Sequence, residues 1–598
     1  MIDPPPPHAI GAMLLTAAMF YGFISGRVRV EIISLLTLSA IALGLYAFPL
    51  PGAAATDGLK LAFEGFGHYA LVTICALMIM GRGLVTTGAL EPAARILTKI
   101  WRFNRQLGLL VTLLLAMLMS MMVNDTPVIV LLLPILVSLA ARGGMPASQT
   151  LIPVNSAVLI GGMATTIGTS TNLLVVGIAS DMGMRPMGVF HFTPIVLLAA
   201  LVALPFIWLV MPRLLPDNSP AGGHEARRFR ATLRLGDRSL VTGTSIDTLR
   251  KRLPADVGFD GATDQPLEPG ARLNISATHE ALEEAVRVLG AHAAPAWLID
   301  RLQADYGRTG EDLSVVELAI AADSPLIGKR ITISGVAENF NIAILGVQFA
   351  ERLHETRRDL DTSSILSEGD ILLVAGTLPN VQSLARAENL LILEGLKEMP
   401  RTAKAPLALA IMAGAVFPAS VGVVPIAISA LVGAILMFVT GCVKFDRVGR
   451  ALSAKVIVLI AASIAIGKIV LDSGAADWLG QVIAVGLQSL PAAGVLATVM
   501  LFVTILTNFA SNATAAAVGT PIAFSLAQQL GIPVEPLVLA VLFGCNLCYA
   551  TPVAYQTNML IMSAGEYKFG DYTRTGLPLV ALMIVTLSAL LVLRYDLH

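Results

Sequence analysis

The chain has 598 residues, 55% of them hydrophobic and 14% charged, with a mean hydropathy of +0.76 and a formal net charge of −1. These values exclude an ordinary water-soluble globular protein and place the chain among polytopic membrane proteins. Charge is unevenly spread: residues 213–403 carry 21 Lys/Arg and 27 Asp/Glu, which is 48 of the 81 charges. A soluble insert therefore divides two hydrophobic halves, giving a first membrane unit over 1–213, an insert over 214–403 and a second membrane unit over 404–598.

Met1-Ile2-Asp3-Pro4 lacks the basic start of a signal peptide, so no cleavage is expected. Ile10 to Ser25 and Glu31 to Leu50 read as the first two spans, parted by Arg27 and Arg29. A third, Tyr69 to Leu90, leads into Arg95, Lys99, Arg102 and Arg105. Leu107 to Leu139 and Ile152 to Ile178 are long segments, predicted to break at Asn124-Asp125-Thr126 and at Gly161-Gly162. Phe192 to Met211 closes the first half. The second half starts near Ala405, passes the basic loop of Lys444, Arg447, Arg450 and Lys455, and runs through Val456 to Val470. Pro533 to Met562 and Leu577 to Leu593 complete it. Because basic loops mark the cytoplasmic side, the insert is expected inside and Met1 outside.

Between Leu506 and Ala515 lies Thr507-Asn508-Phe509-Ala510-Ser511-Asn512-Ala513-Thr514, a run of small and polar residues within apolar sequence. Backbone freed from helical pairing at membrane depth is tolerated only against protein or a water-filled cavity, which points to a hairpin tip or broken helix around a solute. A close helix–helix contact would also use such residues. An upstream counterpart favours the first reading. Ser120 precedes Asn124 as Thr507 precedes Asn512, at an offset of 387 residues. Gly81 and Gly467 repeat a motif at an offset of 386, and so do Asn172 and Asn558. The chain thus holds two copies of one unit. A basic loop follows Gly81 whereas Asp472 and Asp477 follow Gly467, so the copies are expected to be inverted. Paired breaks in such repeats point to a transporter's binding site.

Four cysteines, including Cys545-Asn546-Leu547-Cys548, are too few for a disulfide scaffold and lack the second pair that a zinc site requires. The eight histidines show no metal-ligand spacing. With no nucleophile–base constellation and no phosphate-cradling loop, an enzyme is not expected, nor an organic cofactor, nor a nucleic-acid partner.

Within the insert, Ser324-Pro325-Leu326-Ile327-Gly328 shares a frame with Ser239-Leu240-Val241-Thr242-Gly243. Glu368-Gly369-Asp370 and Pro269-Gly270-Ala271 each feed a short apolar strand, with a helix starting near Asn380 or His279. These two units, about 226–290 and 312–397, resemble the C-terminal subdomain of potassium-channel regulator (RCK, TrkA-C-like) domains. The resemblance implies a cytoplasmic module that pairs and senses a small ligand; a dimerisation block without a ligand is the plainer alternative. No G-x-G-x-x-G precedes the units, so the nucleotide-binding subdomain usual in that family is not expected.

The membrane halves resemble the divalent anion/sodium symporter family of the ion transporter superfamily. Asn124-Asp125-Thr126 and Ser511-Asn512-Ala513 resemble its Ser-Asn-Thr motifs, departing at Asp125 and Ala513, and Gly168-Thr169-Ser170-Thr171-Asn172 and Ala550-Thr551-Pro552 resemble its Gly-Thr-Pro-Pro-Asn loops, the first without the prolines. The resemblance implies an α-helical polytopic membrane protein, an inverted repeat with broken helices and re-entrant hairpins around the α/β insert. It further implies one sodium among Ser120, Asn124, Asp125 and Gly168, and another among Thr507, Ala510, Ser511, Asn512 and Ala550. A small anion would touch Asn124, Asp125, Thr126, Thr169, Asn512, Thr514, Thr551 and Pro552; Thr514 and Thr551 could instead cap or back-bond helices. Oxygen-rich, unwound backbone suits sodium, and half-helix N-termini suit an anion. The expected protein is a sodium-coupled carrier of sulfate or a dicarboxylate, a homodimer in the bacterial inner membrane. A cation/proton antiporter or other-anion permease of the same superfamily is the alternative, which Asp125 makes credible. A potassium channel is disfavoured because no Thr-Val-Gly-Tyr-Gly filter occurs.

Overall fold

The structure, a computed structural model, describes residues 4–25, 28–89, 103–141, 145–218, 404–445, 454–509 and 511–597, with further positions in 92–101, in 228–393 and at 452. Ala510, Arg27, Arg95, Lys99, Arg102, Arg447 and Arg450 lie outside the described residues. So do the Ser239–Gly243 frame, Pro269 and Gly270.

The first half contains α1 (Pro7–Ser25), α2 (Val30–Ala47), α3 (Asp57–Gly67), α4 (Tyr69–Thr87), α5 (Arg105–Met122), α6 (Asp125–Ala141), α7 (Ala147–Met163), α8 (Ser170–Asp181) and α9 (Thr193–Pro205). Helix α9 continues through a π turn, Phe206–Val210, into Met211–Leu214. Eight helices among the described residues are long and apolar enough to cross a membrane. Exposed Leu35, Leu36 and Leu43 on α2 and Leu197, Leu198 and Leu201 on α9 form surfaces suited to lipid rather than water.

The insert is one eight-stranded sheet made from two like units. Strands β1 (Arg228–Leu235), β2 (Gly258–Phe259) and β3 (Arg272–Thr278), helix α10 (His279–Leu289) and β4 (Ala291–His292) form the first. The second repeats that order with β5 (Leu313–Ile320), β6 (Ala343–Gln348), β7 (Ile371–Thr377), α11 (Leu378–Ala387) and β8 (Leu390–Ile392). In each unit the first strand pairs antiparallel with the third and with the last, and the second pairs with the third. The sheets join at Arg230↔Val347, between β1 and β6. Sequence reading separated the units but gave no sign of this junction, which depends on strands over 100 residues apart. The insert sits against the helical body: β8 packs on α6, and the Arg82 guanidinium of α4 donates to Asn389 Oδ1 at 3.3 Å.

The second half contains α12 (Ala405–Ser420), α13 (Ile426–Val439), α14 (Ala454–Asp472), α15 (Ala475–Leu487), α16 (Ala492–Phe509), α17 (Asn512–Leu530), α18 (Val534–Asn546), α19 (Gln556–Ala564) and α20 (Phe569–Tyr595). Its break-bearing helices repeat those of the first half. Helices α5 and α6 part at Val123-Asn124, and α16 and α17 part at the corresponding place, before Asn512. The packing repeats too. Gly161 of α7 lies so close to Met117 O of α5 that a Cβ would sit 2.2 Å away, and Gly544 of α18 meets Met500 O of α16 in the same way, at 2.8 Å. Each pair is separated by 44 residues.

The predicted break at Gly161-Gly162 is corrected: both glycines lie inside α7, and the chain leaves the helix only over 164–169. The two glycines serve close packing rather than unwinding. The pairing of Ser120 with Asn124 also shifts by one residue. Ser120 Oγ donates to Asp125 Oδ1, and Thr507 Oγ1 donates to Asn512 Oδ1, both across five residues. Asp125 is therefore the counterpart of Asn512.

Helices α7, α17 and α18 have almost no exposed face, with every residue from Asn512 to Ala527 buried. A helix apolar on all sides belongs in the middle of a bundle. The halves exchange parts there: α8 packs on α17 and α18, while α19 packs on α6 and α7.

Candidate ion and substrate site

At the first break, α5 ends at Met122 and α6 begins at Asp125, in an apolar segment where Asn124 Oδ1 accepts the Thr126 N–H at 3.4 Å. The Asp125 carboxylate is fully buried. Ser120 holds its Oδ1, and Oδ2 has no hydrogen-bond partner. Tyr555, from the second half, brings its hydroxyl beside this carboxylate. A Cβ on Gly162 would lie 2.1 Å from Asp125 Oδ1 and one on Gly168 would lie 2.3 Å from Gly162 O. Ser120, Asp125, Gly162 and Gly168 thus share one small polar space. Thr165 closes it by donating to Met121 O at 2.7 Å and accepting the Gly168 N–H at 3.1 Å.

The second break is built alike but without a charge. Thr507 Oγ1 lies between Asn512 Oδ1 and Cys545 O, the latter at 3.1 Å. Asn508 Nδ2 donates to Thr504 O and Leu547 O, leaving its Oδ1 buried and unpaired. Thr551 Oγ1 donates to Asn508 O at 2.8 Å, which ties the loop after α18 to the break. Pro552 opens the short 3-10 turn Pro552–Ala554, and Ala550 is buried beside it.

Not every predicted residue joins these clusters. Thr514 Oγ1 is engaged with Ser463 Oγ of α14 at 3.3 Å. Thr169 caps α8 by accepting the Asn172 N–H at 3.3 Å, and donates to Asn546 Oδ1 at 3.3 Å. Asn124 is partly exposed and lines a small cleft with Met122, Val123 and Ser170, faced by Ile74, Met78 and Gly81 of α4. This cleft reaches the first break and the N-terminus of α8, where backbone N–H groups favour an anion.

Sequence reading missed a set of asparagines. Asn172 Nδ2 donates to Gly162 O at 3.0 Å and Thr165 O at 2.6 Å. Asn558 Nδ2 donates to Cys548 O at 2.8 Å and Thr551 O at 2.9 Å. In both cases the acceptors lie ten and seven residues upstream, so each asparagine staples its own loop. Asn172 and Asn558 are repeat landmarks and Asn508 lies in the polar run of the second break; Asn155 and Asn546 give no signal beyond a polar residue in apolar sequence.

The residues fit a bound cation. Asp125 supplies a buried carboxyl group whose Oδ2 has only the Tyr555 hydroxyl beside it, and hydroxyl and carbonyl oxygens surround each break. A hard cation prefers such donors, and a buried carboxylate otherwise has no compensation.

Residues 20–544 match the citrate transporter family (CitMHS), and residues 492–597 match it again. The chain belongs to that family. It is 28% identical over 570 residues to an uncharacterized transporter of Synechocystis, with 90% of each chain covered. It is 26% identical to a putative sulfur deprivation response regulator of Chlamydomonas reinhardtii, covering 87% of this chain and 92% of that one. A shorter stretch of 167 residues is 33% identical to a probable sodium/sulfate cotransporter of Chlamydomonas, covering 26% of this chain and 18% of that protein. This CitMHS member is a polytopic membrane transporter, in keeping with the resemblance of its two halves to divalent anion/sodium symporters.

Gly162→Ala is expected to displace the Asp125 carboxylate, because the added Cβ would overlap Oδ1. Overpacking of this kind costs about 1–3 kcal/mol. Transport should fall at least ten-fold in protein that still elutes as a single species; full activity would show that this carboxylate position is not used.

Proposed function

We propose that this CitMHS transporter carries a small oxyanion, sulfate or a dicarboxylate, together with sodium by alternating access. The observation that carries this reading is the repeated break, in which a hydroxyl meets a carboxylate in one half and an amide in the other. Ser120, Asn124, Asp125 and Gly168 would hold one sodium. Thr507, Ser511, Asn512 and Ala550, with Ala510, would hold the other. Sodium supplies positive charge where no Lys or Arg lies beside the breaks in sequence. Asp125 alone would repel a dianion, so its neutralisation must precede or accompany anion binding. Asn124, Thr126, Thr169, Asn512, Thr514, Thr551 and Pro552 are proposed to receive the anion together with the helix N-termini. The names of the sodium/sulfate cotransporters among the relatives support sodium and sulfate.

The second reading, cation/proton exchange, draws on Asp125 itself, since a buried carboxylate can carry a proton as well as accept sodium. Uptake of radiolabelled sulfate and succinate into proteoliposomes, with and without sodium, separates the two. Sodium-dependent uptake of either anion is expected. Cation exchange indifferent to both anions would favour the second reading.

The insert is proposed to lie in the cytoplasm and to regulate transport, the membrane halves pairing as a homodimer in the inner membrane. Its contacts with α6 and Arg82 support communication with the first break. Removing 226–397 with a short linker should leave uptake intact and unresponsive to regulators. Cysteine labelling at Ser363, which lies outside the described residues, should fail from the outside of intact cells. Labelling there, or loss of folding on deletion, would contradict this placement or this role respectively.

A further inference from the structure

Four buried asparagines link the halves reciprocally. Amide carbonyls only accept hydrogen bonds, so Asn172 and Asn558 must point Nδ2 at their own loop carbonyls and Oδ1 away from them. Each Oδ1 is then taken by an asparagine of the opposite half. Asn546 Nδ2 donates to Asn172 Oδ1 at 2.8 Å, and Asn155 Nδ2 donates to Asn558 Oδ1 at 2.5 Å. The second half thus reaches into the first-half loop, and the first half into the second-half loop.

Three of these asparagines lead to the two breaks, and Asn155 stands on α7, the helix that carries Gly162. Asn172 holds Gly162 O and Thr165 O, and Gly162 is the residue against which the Asp125 carboxylate rests. Asn546 follows Cys545, whose carbonyl oxygen lies 3.1 Å from Thr507 Oγ1 at the other break. Asn558 holds Thr551 O, and the Thr551 hydroxyl holds Asn508 O. All four asparagines are at most 3% exposed, where an amide left unpaired is costly. A cation drawing the oxygens of one break together must therefore move, or find already placed, the oxygens of the other.

We infer that the pairs Asn172–Asn546 and Asn155–Asn558 couple the two cation sites, so that binding at one break tightens binding at the other. Asn155 and Asn546 act as positioning residues, each holding an asparagine of the opposite loop. This inference rests on the ion-coupled reading above. Coupling between sites is a free energy, and severing its carrier removes cooperativity even where each site survives.

The test is equilibrium binding of radioactive sodium alone to the purified full-length chain, with no anion present. The parent is expected to bind with a Hill coefficient approaching 2, the limit for two coupled sites. Asn155→Leu combined with Asn546→Leu should bring the coefficient to about 1 and raise the half-saturating concentration about five- to a hundred-fold, the loss of two buried hydrogen bonds. Asn155→Ser and Asn546→Ser, which keep a hydroxyl donor, should fall between the two. They decide the matter if the double variant does not fold. Unchanged steepness in all variants overturns the coupling, as does a parent coefficient of 1. Absence of sodium binding by the parent overturns both the coupling and the sodium reading.

Discussion

Asp125→Asn is expected to retain anion uptake while losing most of its response to the coupling cation. An ionised carboxylate at membrane depth costs roughly 2.5–3.5 kcal/mol, so its retention implies a partner. Among the described contacts Asp125 has only the Ser120 hydroxyl and the neighbouring Tyr555, with Oδ2 left over. The variant would copy the second break, where Asn512 takes the same hydroxyl bond from Thr507. The charge that repels a dianion and attracts a cation would be gone, while the surrounding oxygens would remain. Uptake measured across sodium concentration and pH should thus give flatter curves than the parent. A folded variant with no anion uptake would favour proton-coupled cation exchange, and behaviour identical to the parent would make Asp125 structural.

Asn512→Ala is expected to act at the other break. Asn512 Oδ1 meets the Thr507 hydroxyl, and Thr507 also reaches Cys545 O. Deleting the amide removes one oxygen from the cluster and leaves the Thr507 hydroxyl one partner short. The loss is on the order of 1–3 kcal/mol, or about five- to a hundred-fold in affinity. Both the sodium concentration for half-maximal uptake and the anion affinity should worsen. Sodium dependence unchanged at normal expression would remove Asn512 from the ion site.

The two breaks were legible because polar residues interrupt apolar runs at a constant spacing, and Ser120, Asp125, Thr507 and Asn512 do meet there. The misplaced break shows the limit of local signals. Gly161-Gly162 looks like an unwound segment, yet glycine equally serves a close contact, here with Met117 O and the Asp125 carboxylate. Only the partner helix distinguishes these uses. The asparagine exchange was illegible for a related reason: Asn155 sits inside α7 and Asn546 at the end of α18, and their partners lie 403 and 374 residues away. The insert followed the same rule. In each unit one short strand and the helix after it were readable, while the strand order and the Arg230↔Val347 junction depend on long-range pairing.

The most direct measurement is paired flux in one preparation of proteoliposomes, following labelled sodium and labelled sulfate or succinate together. Coupled transport predicts that anion accelerates sodium entry, that sodium accelerates anion entry, and that Asn512→Ala weakens both. Sodium entry exchanged for protons, indifferent to either anion, would contradict it.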